Sequence, residues 1–252
     1  MKLVIRPSEV SPEVTVLPSK LHTQLACVIG LLSRGRAVIR DPLRVKDTRI
    51  VLRLAESLDA IVGRSGKNWV ISPPETLKLK VKSIDVKNSG TTLALMASIL
   101  PLSQTSVVLT GDASVRSRPV SGLLSLLGKL GAEIHSVGPQ DCPPLMIFGT
   151  GLQGGTVKPT IREARYLPAA LVPAPFTELQ TSIILPDQQT EIFIEPALEI
   201  MRRAGINASL SRRKVRIPHG RYKSFTYTVR KEISASLPFL LAPLLTLSLI
   251  HI

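Results

Sequence analysis

Aromatic residues are scarce: one Trp, three Tyr and five Phe make up 4% of the 252 residues. A protein that grips single-stranded nucleic acid needs rings on which bases can stack, so this scarcity argues against that class. Leu, Ile, Val and Ala must fill the core instead, within an apolar fraction of 44%. Cysteine is scarcer still. Cys27 falls in an apolar helical pattern and Cys142 in a proline-rich loop, and neither has a CxxC partner. A zinc site or redox motif is therefore not expected, and a cytoplasmic chain fits. The opening MKLVIRPSEVSPEV holds no apolar run of signal-peptide length. One segment, 233–252, is apolar enough to be weighed as a membrane span. It carries Pro238 and Pro243 and has no basic flank after it, so we read it as a buried helix that is cut off, and expect no membrane association. Acidic residues are few as well: 18 Asp and Glu against 32 Lys and Arg, a net charge of +14. Such an excess attracts anions, either nucleic acid or phosphorylated metabolites. It is scattered, with Arg212, Arg213, Lys214 and Arg216 as the one dense run. A scattered excess reads as a solvated surface, and no nucleic-acid partner is expected.

What is present is a repeat. Each copy reads helix, strand, helix and two strands, and the copies recur about every 73 residues. The first copy predicts helices over 21–33 and 47–58, with strands at 37–40, 61–62 and 69–72. The second predicts helices over 91–100 and 120–130, with strands at 106–110, 132–137 and 145–148. The third predicts helices over 163–172 and 194–204, with strands at 182–185, 207–211 and 215–218. The second helices end alike, in LAESLDAIVG, LLGKLGAEIH and IMRRAGINAS. Gly131 and Gly205 then suit a left-handed C-terminal cap. Alternating helices and strands imply a layered α/β architecture, with one set of helices wholly buried. After Gly220 the pattern restarts, with a strand in YKSFTYTVR and a helix in KEISASLPFLLAPLL.

Four segments stand out chemically. LPSK at 17–20 puts Lys20 at the start of a helix, against the positive end of its dipole. That placement is unfavourable unless an anion sits there too. KNSGTT at 87–92 offers Asn88, Gly90 and Thr91 as donors at another helix start, where Gly lets a ligand approach the backbone closely. The same residues also suit an ordinary capping loop. GDASVRSRP at 111–119 follows a strand and carries Arg116 and Arg118, whose planar forks match carboxylates and phosphates. GLQGG at 151–155 turns the chain between repeats and is assigned no chemistry.

The order PSK, GLLSRGRAVIRDPLRVKDT, NSGTT, GDASVRSRP and a helix end in LGA resembles the enolpyruvyl transferases, most closely the 5-enolpyruvylshikimate-3-phosphate synthase family, over nearly the whole chain. The resemblance implies two lobes, each of three βαβαββ units. It implies transfer of the enolpyruvyl group of phosphoenolpyruvate to the 5-hydroxyl of shikimate 3-phosphate, with phosphate released. It further implies no metal, no organic cofactor and a monomer. An acid would protonate the methylene carbon, a base would take the hydroxyl proton, and basic residues would hold the anionic substrates as the lobes close. By resemblance, Lys20 is the catalytic lysine that touches both substrates. Asn88, Gly90 and Thr91 form the loop beside phosphoenolpyruvate, Arg118 grips its phosphate or carboxylate, and Asp47 is structural.

The departures from the family pattern fall together. Leu21 stands where a serine is expected, Leu25 and Ala94 where arginines are expected, and Glu163, Ala164 and Arg165 where Ser-Ser-Gln is expected. Thr190, Glu191, Ile192 and Phe193 stand in place of Ser-Arg-Pro-Tyr, and Glu232 in place of an aspartate. Arg165 and Thr190 remain substrate-binding candidates at their positions. The expected layout is a strand segment of another lobe at 1–18, a complete lobe at 19–222, and the truncated start of a returning lobe at 223–252. On this reading the chain is incomplete at Ile252, and its closing LSLIHI fits no family segment. The rival readings are a catalytically inactive homologue that acts as a scaffold or anion binder, and a basic nucleic-acid-binding protein.

Overall fold

The computed structural model describes residues 15–77, 79–239 and 241. Residues 1–14 of the strand segment expected at 1–18, and most of the apolar segment after 239, lie outside the described residues.

Three four-stranded sheets are built on one plan. The first unit contains α1 (Lys20–Leu31), β1 (Ser33–Arg40), α2 (Lys46–Ser57), β2 (Ile61–Ser65) and β3 (Asn68–Ser72). The second contains β4 (Ser83–Asp85), α3 (Gly90–Ile99), β5 (Val107–Thr110), the short α4 (Ala113–Arg116), α5 (Ser121–Lys129), β6 (Ile134–Ser136) and β7 (Leu145–Ile147). The third contains β8 (Gly154–Val157), α6 (Leu167–Leu171), β9 (Leu179–Ile184), α7 (Glu191–Arg203), β10 (Ser209–Ser211) and β11 (Lys214–Arg216). The second sheet is ordered β4-β5-β7-β6 and the third β8-β9-β11-β10. In each, the first pair is parallel and the others antiparallel. The helices divide into two sets. α1 is buried from Thr23 to Leu31 and α3 from Thr92 to Ile99, so both lie inside and are apolar nearly all round. α2, α5 and α7 have one buried face and one solvated face, and cover the outside. The left-handed caps occur as expected at Gly131 (φ 85°) and Gly205 (φ 87°), with Asp59 (φ 71°) in the equivalent place of the first unit.

The strand after Gly220 does not open a second lobe. β12 (Tyr222–Thr228) pairs in parallel with β1, from Ser33 opposite Tyr222 to Arg40 opposite Thr228, and completes the first sheet as β12-β1-β3-β2. The reason lies in its side chains. Tyr222, Phe225 and Tyr227 are buried, and the Tyr222 hydroxyl donates to the Val172 carbonyl at 2.8 Å. The expected boundary at 222 therefore moves past β12. Beyond it the two connections run side by side: Ser19 N donates to Arg230 O at 2.7 Å, and Glu232 N to Leu17 O at 2.8 Å.

Three further expectations change. The helix read over 163–172 is broken into a 3-10 turn at Ala164–Tyr166, then α6, then a 3-10 turn at Ala174–Phe176, because Pro168, Pro173 and Pro175 interrupt it. β4, β8 and α4 were not read from the residues, although the βαβαββ unit implied by the resemblance has a leading strand where β4 and β8 stand. The segment read as a buried helix after 231 starts with a 3-10 turn, Ile233–Ser236. Ile233, Leu237 and Phe239 are each at least half exposed there, because no layer of the described lobe faces them. No described helix is long and apolar enough to cross a membrane.

Candidate active site

The repeat places the N-termini of α1, α3, α5 and α7 around one cavity of about 490 Å³. A helix N-terminus presents unpaired amides and the positive end of its dipole, which favours an anion. At α7 the first amides are already taken, Glu191 N by Gln188 O, Ile192 N by Gln189 O and Phe193 N by Thr190 O, so the open starts are those of α1, α3 and α5. Leu21 of α1, Gly90 and Thr91 of α3, Leu123 of α5 and Phe193 of α7 line the cavity, together with Arg118 and Arg165. No Asp or Glu is among the residues that line it. A larger cavity of about 870 Å³ lies at the C-terminal end of α1, between Leu31, Leu102 and Phe176, and no predicted site residue lines it. The negative dipole ends there favour the smaller cavity as the anion site.

The α3 corner is assembled from two loops. Ser89, rather than Asn88, is the N-cap, and its Oγ accepts from Thr92 N at 3.3 Å. Gly90 opens the helix with an exposed face, where an added Cβ would meet nothing within 4 Å. The second loop is packed tightly on the first. A Cβ at Gly111 would lie 2.6 Å from the Lys87 carbonyl and 2.7 Å from Val115 Cβ, and the same carbonyl accepts from Asp112 N at 2.9 Å. Asp112 caps α4, accepting from Val115 N at 3.0 Å. Arg116 is used internally, donating to the Gly111 carbonyl at 2.7 Å. Arg118 donates to Ser114 Oγ at 2.7 Å and remains exposed. Among the described residues, no carboxylate lies within 4.0 Å of Arg118 or Arg165.

Lys20 is the first residue of α1, half-buried, and forms an ion pair with Asp47 in the first turn of α2. The negative charge that its position demands is thus supplied in part by the chain itself. Behind this pair sits Gln24, fully buried, which sequence reasoning missed. Its Nε2 reaches Thr92 Oγ1 at 2.8 Å, Ser89 Oγ at 3.1 Å and the Asp47 carbonyl at 3.3 Å, tying α1, α2 and α3 together. The available signal was an amide in the middle of an apolar helix. His22 also faces inward, with Nε2 3.8 Å from Glu199 Oε2 and its ring parallel to that of Tyr227. Burial holds the His22 imidazole below its ordinary range, against the opposing pull of Glu199; Arg230 adds to the lowering.

The cavity therefore gathers Gly90, Thr91, Arg118 and Arg165, with Lys20 immediately before the lining residue Leu21. Asn88 is exposed on the turn just before Ser89. Thr190 is not brought in. It is buried at the start of α7, and its amide and hydroxyl both donate to Asp187 Oδ1, at 2.8 and 2.7 Å. The altered positions also differ in placement. Ala94 and Phe193 line the cavity, Leu25 is fully buried, and Glu163 is buried beneath the turn that carries Arg165.

Comparison with known proteins gives these features a context. The sequence profile of the family described as EPSP synthase (3-phosphoshikimate 1-carboxyvinyltransferase) matches residues 4–252. A 3-phosphoshikimate 1-carboxyvinyltransferase of Methanothermobacter thermautotrophicus is 32% identical over 87% of this chain and 52% of its own length. That of Methanothrix thermoacetophila is 34% identical over 97% of this chain and 58% of its own. The EPSP synthase structure from Acinetobacter baumannii superposes with a TM-score of 0.76 at 20% identity, covering 90% of this chain and 52% of that one. The likeness to that structure is one of fold. The chain spans about half the length of the curated relatives it matches.

Proposed function

The chain belongs to the EPSP synthase family, and from that premise we propose that the cavity is one wall of a site for 3-phosphoshikimate 1-carboxyvinyl transfer. In this reaction the oxygen of an acceptor hydroxyl bonds to C2 of phosphoenolpyruvate while a proton adds to its methylene carbon. Loss of phosphate from the tetrahedral adduct, with a proton from C3, then leaves the enol ether. One observation carries the reading: Arg118, with no carboxylate partner among the described residues, faces the same cavity as the open start of α3 at Gly90 and Thr91. A guanidinium fork beside free helix amides suits a phosphate or carboxylate of phosphoenolpyruvate. The share of this lobe in the chemistry is electrostatic, because the cavity lining offers cations and amides and no carboxylate. Lys20 immediately precedes the lining residue Leu21, and a substrate anion would compete with Asp47 for its ammonium.

Calorimetric titration tests this. Phosphoenolpyruvate should bind, Arg118→Ala should weaken it about 10- to 100-fold, and added salt should weaken it further. Equal binding by the wild type and the variant would overturn the assignment. A second reading, an inactive homologue that binds anions, is favoured by Leu21, Ala94 and Phe193, which put apolar groups where the family pattern has polar ones. The two readings part on turnover. Phosphate release that needs both substrates and disappears in Lys20→Ala supports transfer; binding without release supports the inactive homologue.

A further inference from the structure

α1 is apolar nearly all round, yet Gln24 stands in it with no exposed surface. Its Nε2 has three acceptors at the starts of two other helices: Thr92 Oγ1 at 2.8 Å, Ser89 Oγ at 3.1 Å and the Asp47 carbonyl at 3.3 Å. That carbonyl can only accept, so it fixes the nitrogen on this side of the amide. The other end goes without: Gln24 Oε1 has no donor among the described residues. A buried acceptor left unpaired costs stability, and an apolar side chain of the same shape would avoid the cost. Stability therefore does not account for this residue, and its presence calls for another reason.

That reason lies in what its partners carry. Gln24 holds Asp47 at the backbone, while the Asp47 carboxylate holds the ammonium of Lys20. Lys20 is four residues before Gln24, so the two stand one turn apart on the same face of α1. Thr23 anchors the loop that leads to Asp47: its Oγ1 accepts from Leu43 N at 3.1 Å and donates to Ser19 O at 2.8 Å. On the α3 side, Ser89 Oγ accepts from Gln24 and from Thr92 N, the third amide of that helix. The first two, Gly90 N and Thr91 N, have no acceptor among the described residues. One buried amide thus joins the residue that holds Lys20 to the residue that caps α3 and leaves its first amides open. In the reading proposed above, this cation and these donors serve the same anion.

We infer that Gln24 is a positioning residue: it touches no substrate, and it sets Lys20 in register with the open Gly90 and Thr91 amides so that both act on one phosphoenolpyruvate anion. The inference rests on the proposed reading of the cavity. Calorimetric titration of the full chain with phosphoenolpyruvate tests it, beside thermal melts. Gln24→Met keeps the length and removes the amide. It should weaken binding about 10-fold while the melting temperature stays within about 2 °C, since an unpaired oxygen leaves as the Asp47 carbonyl loses a donor. Lys20→Met should weaken binding about 10- to 100-fold. Adding Gln24→Met to it should cost no more than about twofold, because the register of two groups matters only while both are present. Thr92→Val removes the nearest acceptor and keeps the shape. It carries the same signature at about threefold, absent in the Lys20→Met background, should Gln24→Met fail to fold. Phosphoenolpyruvate titrated into wild type and Arg118→Ala reads the parent proposal separately. If phosphoenolpyruvate binds through Arg118 while Gln24→Met binds it as wild type does, the inference falls alone. Losses from Gln24→Met and Lys20→Met that multiply in the double variant would overturn the positioning role.

Discussion

Gly111→Ala is the sharpest perturbation the site offers. The new methyl would lie 2.6 Å from the Lys87 carbonyl oxygen and 2.7 Å from Val115 Cβ and Cγ1. Carbon atoms rest at about 3.5 to 4.0 Å, so each neighbour must retreat by about 1 Å. Neither retreats freely. The Lys87 carbonyl is bonded to Asp112 N at 2.9 Å, and Val115 is buried at 2% exposure in the helix that Asp112 caps. Overpacking costs about 1 to 3 kcal/mol, and with backbone on one side and core on the other the upper end applies. A loss of about 3 kcal/mol corresponds to a melting temperature lower by about 6 to 12 °C. The urea midpoint should fall with its slope unchanged, and phosphoenolpyruvate binding should fall with it, since the clash drives the 87–91 and 111–118 loops apart. Gly90→Ala is the companion. Its methyl meets nothing within 4 Å, so stability should move by under about 0.5 kcal/mol while the methyl obstructs the approach to the α3 amides. A Gly111→Ala protein that melts within about 1 °C of wild type and binds phosphoenolpyruvate equally would refute the packing argument and the coupling of the two loops.

Two pH dependences follow from buried groups. Burial depresses His22 in the fold, so the unfolded chain takes up a proton first as pH falls, and stability declines from about pH 7 down through the folded value. Thermal melts across that range should show the decline, and His22→Gln should remove it. Burial alone would raise the Glu163 carboxyl, but hydrogen bonds from Lys129, Ser125 and the Thr160 amide outweigh it and hold it below its ordinary range. Its contribution is full above about pH 4.3 and is lost as pH falls through the folded value, so Glu163→Gln should flatten the acid limb of an unfolding curve.

The helices were legible wherever one face repeats, as in Leu123, Leu126 and Leu127 of α5, because periodicity needs no knowledge of partners. β4 and β8 were not. Ser83–Asp85 is three residues in a lysine-rich stretch, and Gly154–Val157 opens with two glycines at positive φ that read as a turn. Both are strands only because a longer neighbour, β5 or β9, pairs with them. The cavity was legible in part. Gly90, Thr91 and Arg118 sit in short motifs at helix starts, where local chemistry suggests an anion. Gln24 and Glu163 gave no such sign, because their partners lie 65 and 68 residues away in one case and 34 and 38 in the other. Thr190 was misplaced for the opposite reason: a local bond to Asp187, three residues back, takes its hydroxyl.

The pairing of β12 with β1 sets a clock during synthesis. In the second and third sheets the parallel partners are 25 residues apart, Ser83 with Val108 and Gly154 with Leu179. Ser33 must wait for Tyr222, about 190 residues later. At roughly 5 to 20 residues per second the ribosome needs roughly 10 to 40 s to supply that strand. Throughout that interval the open edge of β1 offers unpaired amides and carbonyls to any other extended chain. The last unit to close is thus the one made first, and the nascent lobe is most prone to mispairing before residue 222 leaves the exit tunnel.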